Sequence, residues 1–328
     1  MLKRFGIVHN IVTFLILLLR KTYTYFLRTM NHTKKIQLVL LFIMSLYSAI
    51  GYSAEKKRNR ENSKNAINAM SFNIRMATKI DKENYWDFRR DYAADLIRFH
   101  HIDIAGMQEV LHTQLTDLLE RLPEYGYIGV GREDGKEKGE YSAIIYKKDR
   151  FKLLDSGTFW LAEDINAVGK KGWDGACERV ATWGLFKDKI SRKTFLYLNT
   201  HLDHVGKVAR REGAKLILEK VHSLSKGYPA IVTGDFNSTS DEEPIQILTH
   251  SADQNKQLID TRTVAPFVYG PSWTFHDFGR IPFEQRVIID YIFIKGEIEV
   301  VKHGILSENK GGLFPSDHCP VMSTLILK

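Results

Sequence analysis

Ile231-Val232-Thr233-Gly234-Asp235-Phe236-Asn237-Ser238 reads as a short apolar β-strand that ends in polar groups. Asp235 and Asn237 are two apart. An extended backbone therefore predicts both side chains on one side, with Phe236 turned into the core. Gly234 lets the backbone turn or approach a neighbour closely. A carboxylate beside an amide suits one task in particular: the carboxylate accepts a proton from water, and the amide orients the water or a phosphoryl oxygen.

Similar β-branched or aromatic runs recur on both sides, at residues 66–75, 102–108, 141–146, 182–186, 194–199, 287–294 and 321–327. Two stretches have helical periodicity. Residues 91–100 predict Ala94, Leu96, Ile97 and Phe99 toward a core, and residues 208–224 predict Ala214, Leu216, Ile217, Leu218 and Val221 there. Helix and strand mix without strict alternation, and no repeat period is visible. The pattern predicts one α/β domain over 66–328, in which two mixed β-sheets pack together and helices cover the outside.

The 328 residues are 44% hydrophobic and 26% charged, which excludes a disordered or fibrous chain. The net charge of +8 is unevenly placed. Residues 1–54 hold seven Lys/Arg and no Asp or Glu, which leaves 40 basic against 39 acidic groups in the remainder. A near-neutral domain disfavours nucleic acid as a partner, because binding to a phosphate backbone draws on excess positive charge. No obligate protein partner is evident. Lys34 and Lys35, the apolar run 36–46 and the small residues Ala49, Gly51, Ser53 and Ala54 follow the order of a signal peptide, with cleavage expected near 51–54 and a start at Met30 as an alternative. Export, periplasmic or secreted, is the expectation for residues 1–54, retention as a membrane anchor its alternative, and 55–65 a polar linker. Cys177 and Cys319 are too few for a disulfide framework and read as isolated small residues.

Other strand ends also bear polar groups. Met70-Ser71-Phe72-Asn73-Ile74-Arg75 sets an amide in an apolar strand, and Ile104-Ala105-Gly106-Met107-Gln108-Glu109-Val110 closes one with a carboxylate suited to a hard cation such as Mg²⁺. Asn199-Thr200-His201-Leu202-Asp203-His204 admits a zinc reading, but it lacks the helical His-Glu-x-x-His spacing and a further His/Cys pair nearby. Asp290 lies in the apolar run 287–294, where a charge needs a partner. His318, in Pro315-Ser316-Asp317-His318-Cys319-Pro320, is the expected one: a buried Asp would fix its tautomer and favour the imidazolium, which stabilises charge on a phosphate.

Taken in order, SFN, QE, THLDH, GDFN, DY and SDH resemble the endonuclease/exonuclease/phosphatase superfamily from about Met70 to Val321. The resemblance implies a four-layer α/β sandwich and metal-dependent hydrolysis of phosphoesters. It implies Mg²⁺, with Mn²⁺ as an alternative, held with the help of Asn73 and by Glu109 as direct ligand. It further implies Asp235 as the base with Asn237 beside it, His318 on the scissile phosphate with Asp290 behind it, and Asp317 supporting metal or histidine. His201 takes a second phosphate-stabilising position. Glu140 and Arg179 resemble residues near substrate, and Arg179 offers bidentate donors to a phosphate. Lys138-Gly139-Glu140, Asn199-Thr200-His201-Leu202 and Pro315-Ser316-Asp317-His318 resemble the nocturnin-like deadenylase branch and exported relatives. The expected substrate is a small-molecule or lipid-linked phosphate ester, with single-stranded nucleic acid as the alternative. Segments 160–183 and 266–283, with Trp273 and Phe275, could frame a pocket for a ring-bearing substrate. A catalytically silent binding protein would lack one of the core acids, and none is missing.

Overall fold

Strand β1 (Ile67–Asn73) feeds two cores by its alternation: Ile67 and Ala69 enter one, Met70 and Phe72 the other. The structure is a computed structural model that describes residues 31, 33, 64–251 and 253–328. The targeting segment, apart from residues 31 and 33, and residues 55–63 of the linker lie outside the described residues, and 64–328 form one compact unit. After β1 come α1 (Trp86–Phe99), β2 (Ile104–Val110), α2 (His112–Arg121), β3 (Tyr125–Ile128), β4 (Tyr141–Lys147), β5 (Phe151–Trp160), β6 (Val180–Asp188), β7 (Thr194–His201), α3 (Lys207–Leu224) and β8 (Ala230–Asp235). Then follow α4 (Glu243–Thr249), β9 (Ile259–Asp260), α5 (Thr261–Val264), β10 (Val268–Tyr269), β11 (Asp290–Lys295), β12 (Ile298–Ile305) and β13 (Val321–Leu327).

Seven strands form one sheet in the order β10-β12-β13-β1-β2-β4-β3, and six form the other in the order β5-β6-β7-β8-β11-β9. Parallel pairs (β1/β2, β7/β8) sit among antiparallel ones, so both sheets are mixed. Helices α1 and α2 cover the first sheet through Ile97, Leu115 and Leu118 against Phe72 and Met107. On the second, α3 and α4 pack Ile217, Ile245 and Leu248 against Leu198 and Val232. Between the sheets lie Ala69, Ile104 and Val321 from one side and Phe186, Phe195, Tyr197 and Ile292 from the other. The four-layer sandwich is as expected.

Phe99 differs: it is 77% exposed. The buried stripe of α1 runs through Trp86, Arg89, Ala93, Leu96 and Ile97, and a residue two beyond Ile97 falls on the opposite side of a 3.6-residue helix. It rests instead edge-on against the His100 ring. Strands β3, β5, β9, β10 and β12 were not expected. Two of these are only two residues long, and β5 and β12 interleave exposed charged and polar residues with apolar ones.

The interior between the sheets is polar toward one end. Tyr197 donates its hydroxyl to the Met70 carbonyl (2.9 Å) and accepts from the Gly106 N–H (3.0 Å). Asn199 donates to the carbonyls of Met107 and Ala143 (both 2.9 Å) and accepts from Gln108 (2.6 Å). Gly106 is required there, because a Cβ would lie 2.0 Å from Thr233 Oγ1. Such a network ties the two sheets together across the gap.

His303 of β12 is buried, with Nδ1 3.0 Å from Thr261 Oγ1, and its Nε2 has no partner. Burial, with help from Arg262, pushes its pKa down to about 4. The unfolded chain takes up this proton below about pH 6.5, so the histidine's contribution is intact above that pH and is lost as pH falls toward 4. Urea denaturation is expected to show a stability slope about 1.4 kcal/mol per pH unit steeper in that window than in His303→Asn. Equal slopes would refute the assignment.

Candidate active site

The same alternation that builds the cores delivers the polar strand ends to one place. Asn73 has the parity of Ile67 and Ala69, and Asp235 that of Ile231, so both face the gap between the sheets. In the second sheet Asp235 is the register partner of Asp290 on β11 and of His201 on β7, which sets three polar side chains in a row. Across the gap, Asn73 donates Nδ2 to Asp235 Oδ2 and to Glu109 Oε1, both at 3.0 Å. Glu109 lies where β2 breaks register with β4, at φ 58°, and its Oε2 accepts from the Met76 N–H at 3.2 Å. A left-handed backbone at a non-glycine residue stores strain of the kind found at functional positions.

His318 stands in the loop before β13. Its Nδ1 is 2.8 Å from Asp290 Oδ2, its Nε2 is 3.7 Å from Asp235 Oδ2, and the Phe275 ring lies against it at 4.8 Å. Burial opposes the imidazolium, but the charge and hydrogen bond of Asp290, with Asp235 and Asp317, raise the His318 pKa well above its usual value. Burial and the neighbouring Asp290 push the Asp235 carboxyl up to about 7, against the pull of His318. Asp317 is likewise pushed up to about 6, by burial first and then by Glu109, against His318. For Glu109 burial works upward, yet the Asn73 hydrogen bond, His318 and Arg75 hold its carboxyl below the usual range.

Asn237 reaches Asp235 by a different route from that expected. Strand β8 stops at Asp235, and Asn237 sits at φ 45°, where its N–H caps Asp235 Oδ1 at 2.9 Å. A left-handed turn, which asparagine tolerates, replaces the two-residue alternation. Phe236 is fully buried as expected. The Asn237 amide donates to the Leu202 carbonyl and meets His201 Nε2, each at 3.0 Å. His201 is held well below its usual pKa by burial, then by Arg179 and Arg132, so its ring is neutral.

These groups line a cavity of about 440 Å³. Its opposite wall is cationic: Arg132, paired to Glu140 at 2.6 Å, and Arg179, whose Nη2 is 3.1 Å from His204 Nδ1. All nine site residues expected from the sequence are in or against this cavity. Asp235, Asn237, His201, His318, Glu109, Asp317 and Arg179 line it, while Asn73 and Asp290 bond to those that do. Phe275 also lines it, whereas Trp160 and Trp273 are buried away from it.

A sequence model described as the Endonuclease/Exonuclease/phosphatase family matches residues 70–318. The chain belongs to this family. An endonuclease/exonuclease/phosphatase of Bacteroides vulgatus is 44% identical, with a TM-score of 0.77 over 80% of this chain and 99% of that one. A Bacteroides thetaiotaomicron mannosyl-6-phosphatase is 37% identical, with a TM-score of 0.74 over 80% of this chain and 100% of its own. These solved relatives thus have little beyond one sandwich. The human Nocturnin catalytic domain, 21% identical over 81% of this chain and 96% of its own with a TM-score of 0.62, shares the fold. The CCR4-Not complex 3'-5'-exoribonuclease subunit of Mycosarcoma maydis is 22% identical over 84% of this chain, and the chain spans about half (52%) of that protein's length.

The family uses phosphate esters as substrates, and its members generally employ divalent metal ions. The residues of this member fit such an ion. Three carboxylates, Glu109, Asp235 and Asp317, face one cavity, and burial, with Asp290 beside Asp235 and Glu109 beside Asp317, pushes two of them up in pKa. Carboxylate oxygens suit a hard dication. Asp235, Asp290 and His318 are also close enough to ligate, but His318 Nδ1 is already bound to Asp290. The structure also brings Cys177 beside Asp203 and His204, a neighbour the sequence did not suggest. That cluster does not suit zinc, because Asp203 Oδ2 accepts from the Ala176 and Cys177 N–H groups and the Arg179 guanidinium stands 3.7 Å away. Both cysteines are free.

The sequence reading missed Arg75, Arg132, His204 and Arg89. Arg75 sits at φ 58° between Asp81 (3.0 Å), Glu109 and Asp317 (both 3.7 Å), where it offsets the acids. Its one signal is its place two residues after Asn73.

Proposed function

We propose that this protein is a divalent-metal-dependent phosphomonoesterase whose substrate is a phosphorylated sugar or a polyol of similar size. One observation carries the reading: an acidic floor and a guanidinium-and-carboxylate wall share one cavity of about 440 Å³, the size of a small-molecule site. The wall offers both donors (Arg132, Arg179) and an acceptor (Glu140), as hydroxyl-bearing substrates require. The mannosyl-6-phosphatase relative supports this choice. The near-neutral charge outside residues 1–54 argues against a polynucleotide track.

In this reading Asp235 accepts the proton of the attacking water. The amide of Asn73 and the N–H of Asn237 keep its two oxygens aimed. His318, held charged by Asp290, donates to a phosphoryl oxygen in the transition state, and Arg179 supplies further donors. His201 is neutral and contributes a hydrogen bond rather than charge, with Asn237 fixing its ring. Glu109 and Asp317 would hold Mg²⁺, or Mn²⁺, while Asn73 orients Glu109 through its NH₂ group. When bound, that ion supplies Lewis-acid stabilisation of phosphoryl charge. The charge order before residue 55 supports an exported enzyme, cleaved near residues 51–54.

Purified protein is expected to release phosphate from hexose 6-phosphates with Mg²⁺, to lose that activity in EDTA and to regain it with Mg²⁺ or Mn²⁺. Degradation of single-stranded RNA without turnover of any sugar phosphate would instead favour the activity named for the exoribonuclease relatives.

A further inference from the structure

Strands β6 and β7 carry Arg179 and His201 to the cavity at one end, and at the other they are joined by the turn Lys189-Ile190-Ser191-Arg192-Lys193. They are 9 and 8 residues long, which places the turn roughly 25 Å from the site. There the charge is anything but neutral. Lys148, Lys152, Lys187, Lys189 and Arg192 are all exposed. A depression of about 500 Å³ is lined by Lys152, Leu154, Lys187, Lys189, Arg192 and Thr194, with no acid among them. Lys152 and Lys187 are direct cross-strand partners, a like-charge pairing that weakens a sheet unless something anionic offsets it. Among the described residues, neither they nor Arg192 has a carboxylate partner.

Two apolar side chains stand in this cationic field: Ile190, 51% exposed at the tip of the turn, and Leu154, 45% exposed. The tip is held rigidly. Asp188 is buried and accepts from the Ile190 N–H (3.1 Å) and the Ser191 hydroxyl (2.7 Å), so Ile190 points outward by construction. Arg150 joins Asp188 (3.4 Å) to the Asn65 carbonyl (3.2 Å). Asn65, at the start of the compact unit, therefore lies beside the patch.

We propose that this end of the sandwich docks on an anionic lipid surface, with Ile190 and Leu154 in the interface, the five cations on headgroup phosphates, and the cavity facing away. Exposed aliphatic side chains ringed by lysine and arginine suit a headgroup layer, where burial of the one and attraction of the others act together. A dissolved polyanion would gain nothing from Ile190. The pairing of exposed aliphatic side chains with these cations favours a bilayer over a soluble partner. The proposal does not depend on the hydrolytic reading.

The test uses residues 64–328, which contain both sheets and all the cores and match the extent of the solved relatives. Co-sedimentation is measured with vesicles of phosphatidylcholine alone and of phosphatidylcholine with phosphatidylglycerol. Binding is expected to the anionic vesicles only, and to weaken as salt rises. The double variant Lys187→Glu/Arg192→Glu is expected to lose at least about tenfold in vesicle affinity. It should remain folded, because Glu at 187 would face Lys152, and hydrolysis of a soluble phosphate ester should be unchanged. Ile190→Ser should remove the binding that survives at high salt. Equal binding to neutral vesicles, no binding to either kind, or wild-type binding by the double variant would overturn the proposal. So would binding of soluble polyphosphate as tight as that of vesicles and indifferent to Ile190→Ser.

Discussion

Replacing Asp235 by asparagine is expected to lower kcat about 10³-fold or more and to leave the fold intact. The substitution keeps the shape of the side chain. An amide oxygen can still accept from the Asn237 N–H or from Asn73, so the two loops stay joined. It removes the carboxyl to which the proposed mechanism gives the proton of the attacking water. Burial and Asp290 put that carboxyl at about 7, near the value at which a general base is most effective. A base must be deprotonated to act, so the wild-type rate should rise with pH through this value, and the variant should lack that rise. A bound dication would draw the limb to lower pH, so the comparison belongs at fixed metal concentration. Stability should be unchanged or higher, because the variant relieves the repulsion between Asp235 and Asp290 across β8 and β11. A variant within tenfold of wild type would remove Asp235 from the chemistry.

Arg89→Met should have the larger effect on stability, about 3 to 5 kcal/mol, as read by denaturant unfolding. Arg89 is fully buried in α1 and donates to carbonyl oxygens alone: Ile74, Arg75 (2.7 Å), Asn84 (2.8 Å) and Pro315 (3.0 Å). Trp86 and Phe278 flank its guanidinium at 5.2 and 5.6 Å. Burial lowers its pKa to about 10, which still leaves it charged at neutral pH. One planar cation thus ties the segment after Asn73 to the loop of Asp317 and His318, which joins the two parts of the acidic floor. Methionine fills the volume but leaves those carbonyls without a donor. Arg89→Lys keeps a charge and some donors, and it separates positioning from bulk stability. Its kcat is expected to fall about 10- to 100-fold, with a higher Mg²⁺ concentration needed for half-maximal rate. A purely structural role would lower the folded fraction and leave the rate per folded enzyme and the metal dependence as in wild type.

Much of this was legible in the linear chain. Period-two alternation in 66–75 and the run into Asp235 marks strands because a strand between two layers must satisfy both faces, and polar residues in such runs stand out as expensive. Asp290 was recognised for that reason, and its contact with His318 followed from the cost of an unpaired buried charge, whereas Asn73 and Glu109 took their roles from the family resemblance. Strand β5, half exposed and broken by a bulge at Leu153/Asp155, gave no such signal, because an edge strand does not need to alternate cleanly. Phe99 misled because hydrophobicity alone does not say on which side of a helix a residue falls.

Local sequence therefore determined which segments are strands, which face of each is buried and which polar residues interrupt them, since those depend on neighbours a few positions away. Tertiary structure alone decided that Arg89 reaches Pro315, 226 positions distant, and that Asn237 turns left-handed to cap Asp235. It also decided that a chain near neutrality beyond residue 54 gathers five cations at one end. Contacts of that kind depend on how two sheets stack and where loops close. Many registers satisfy the same local pattern, and only the packed interior selects among them.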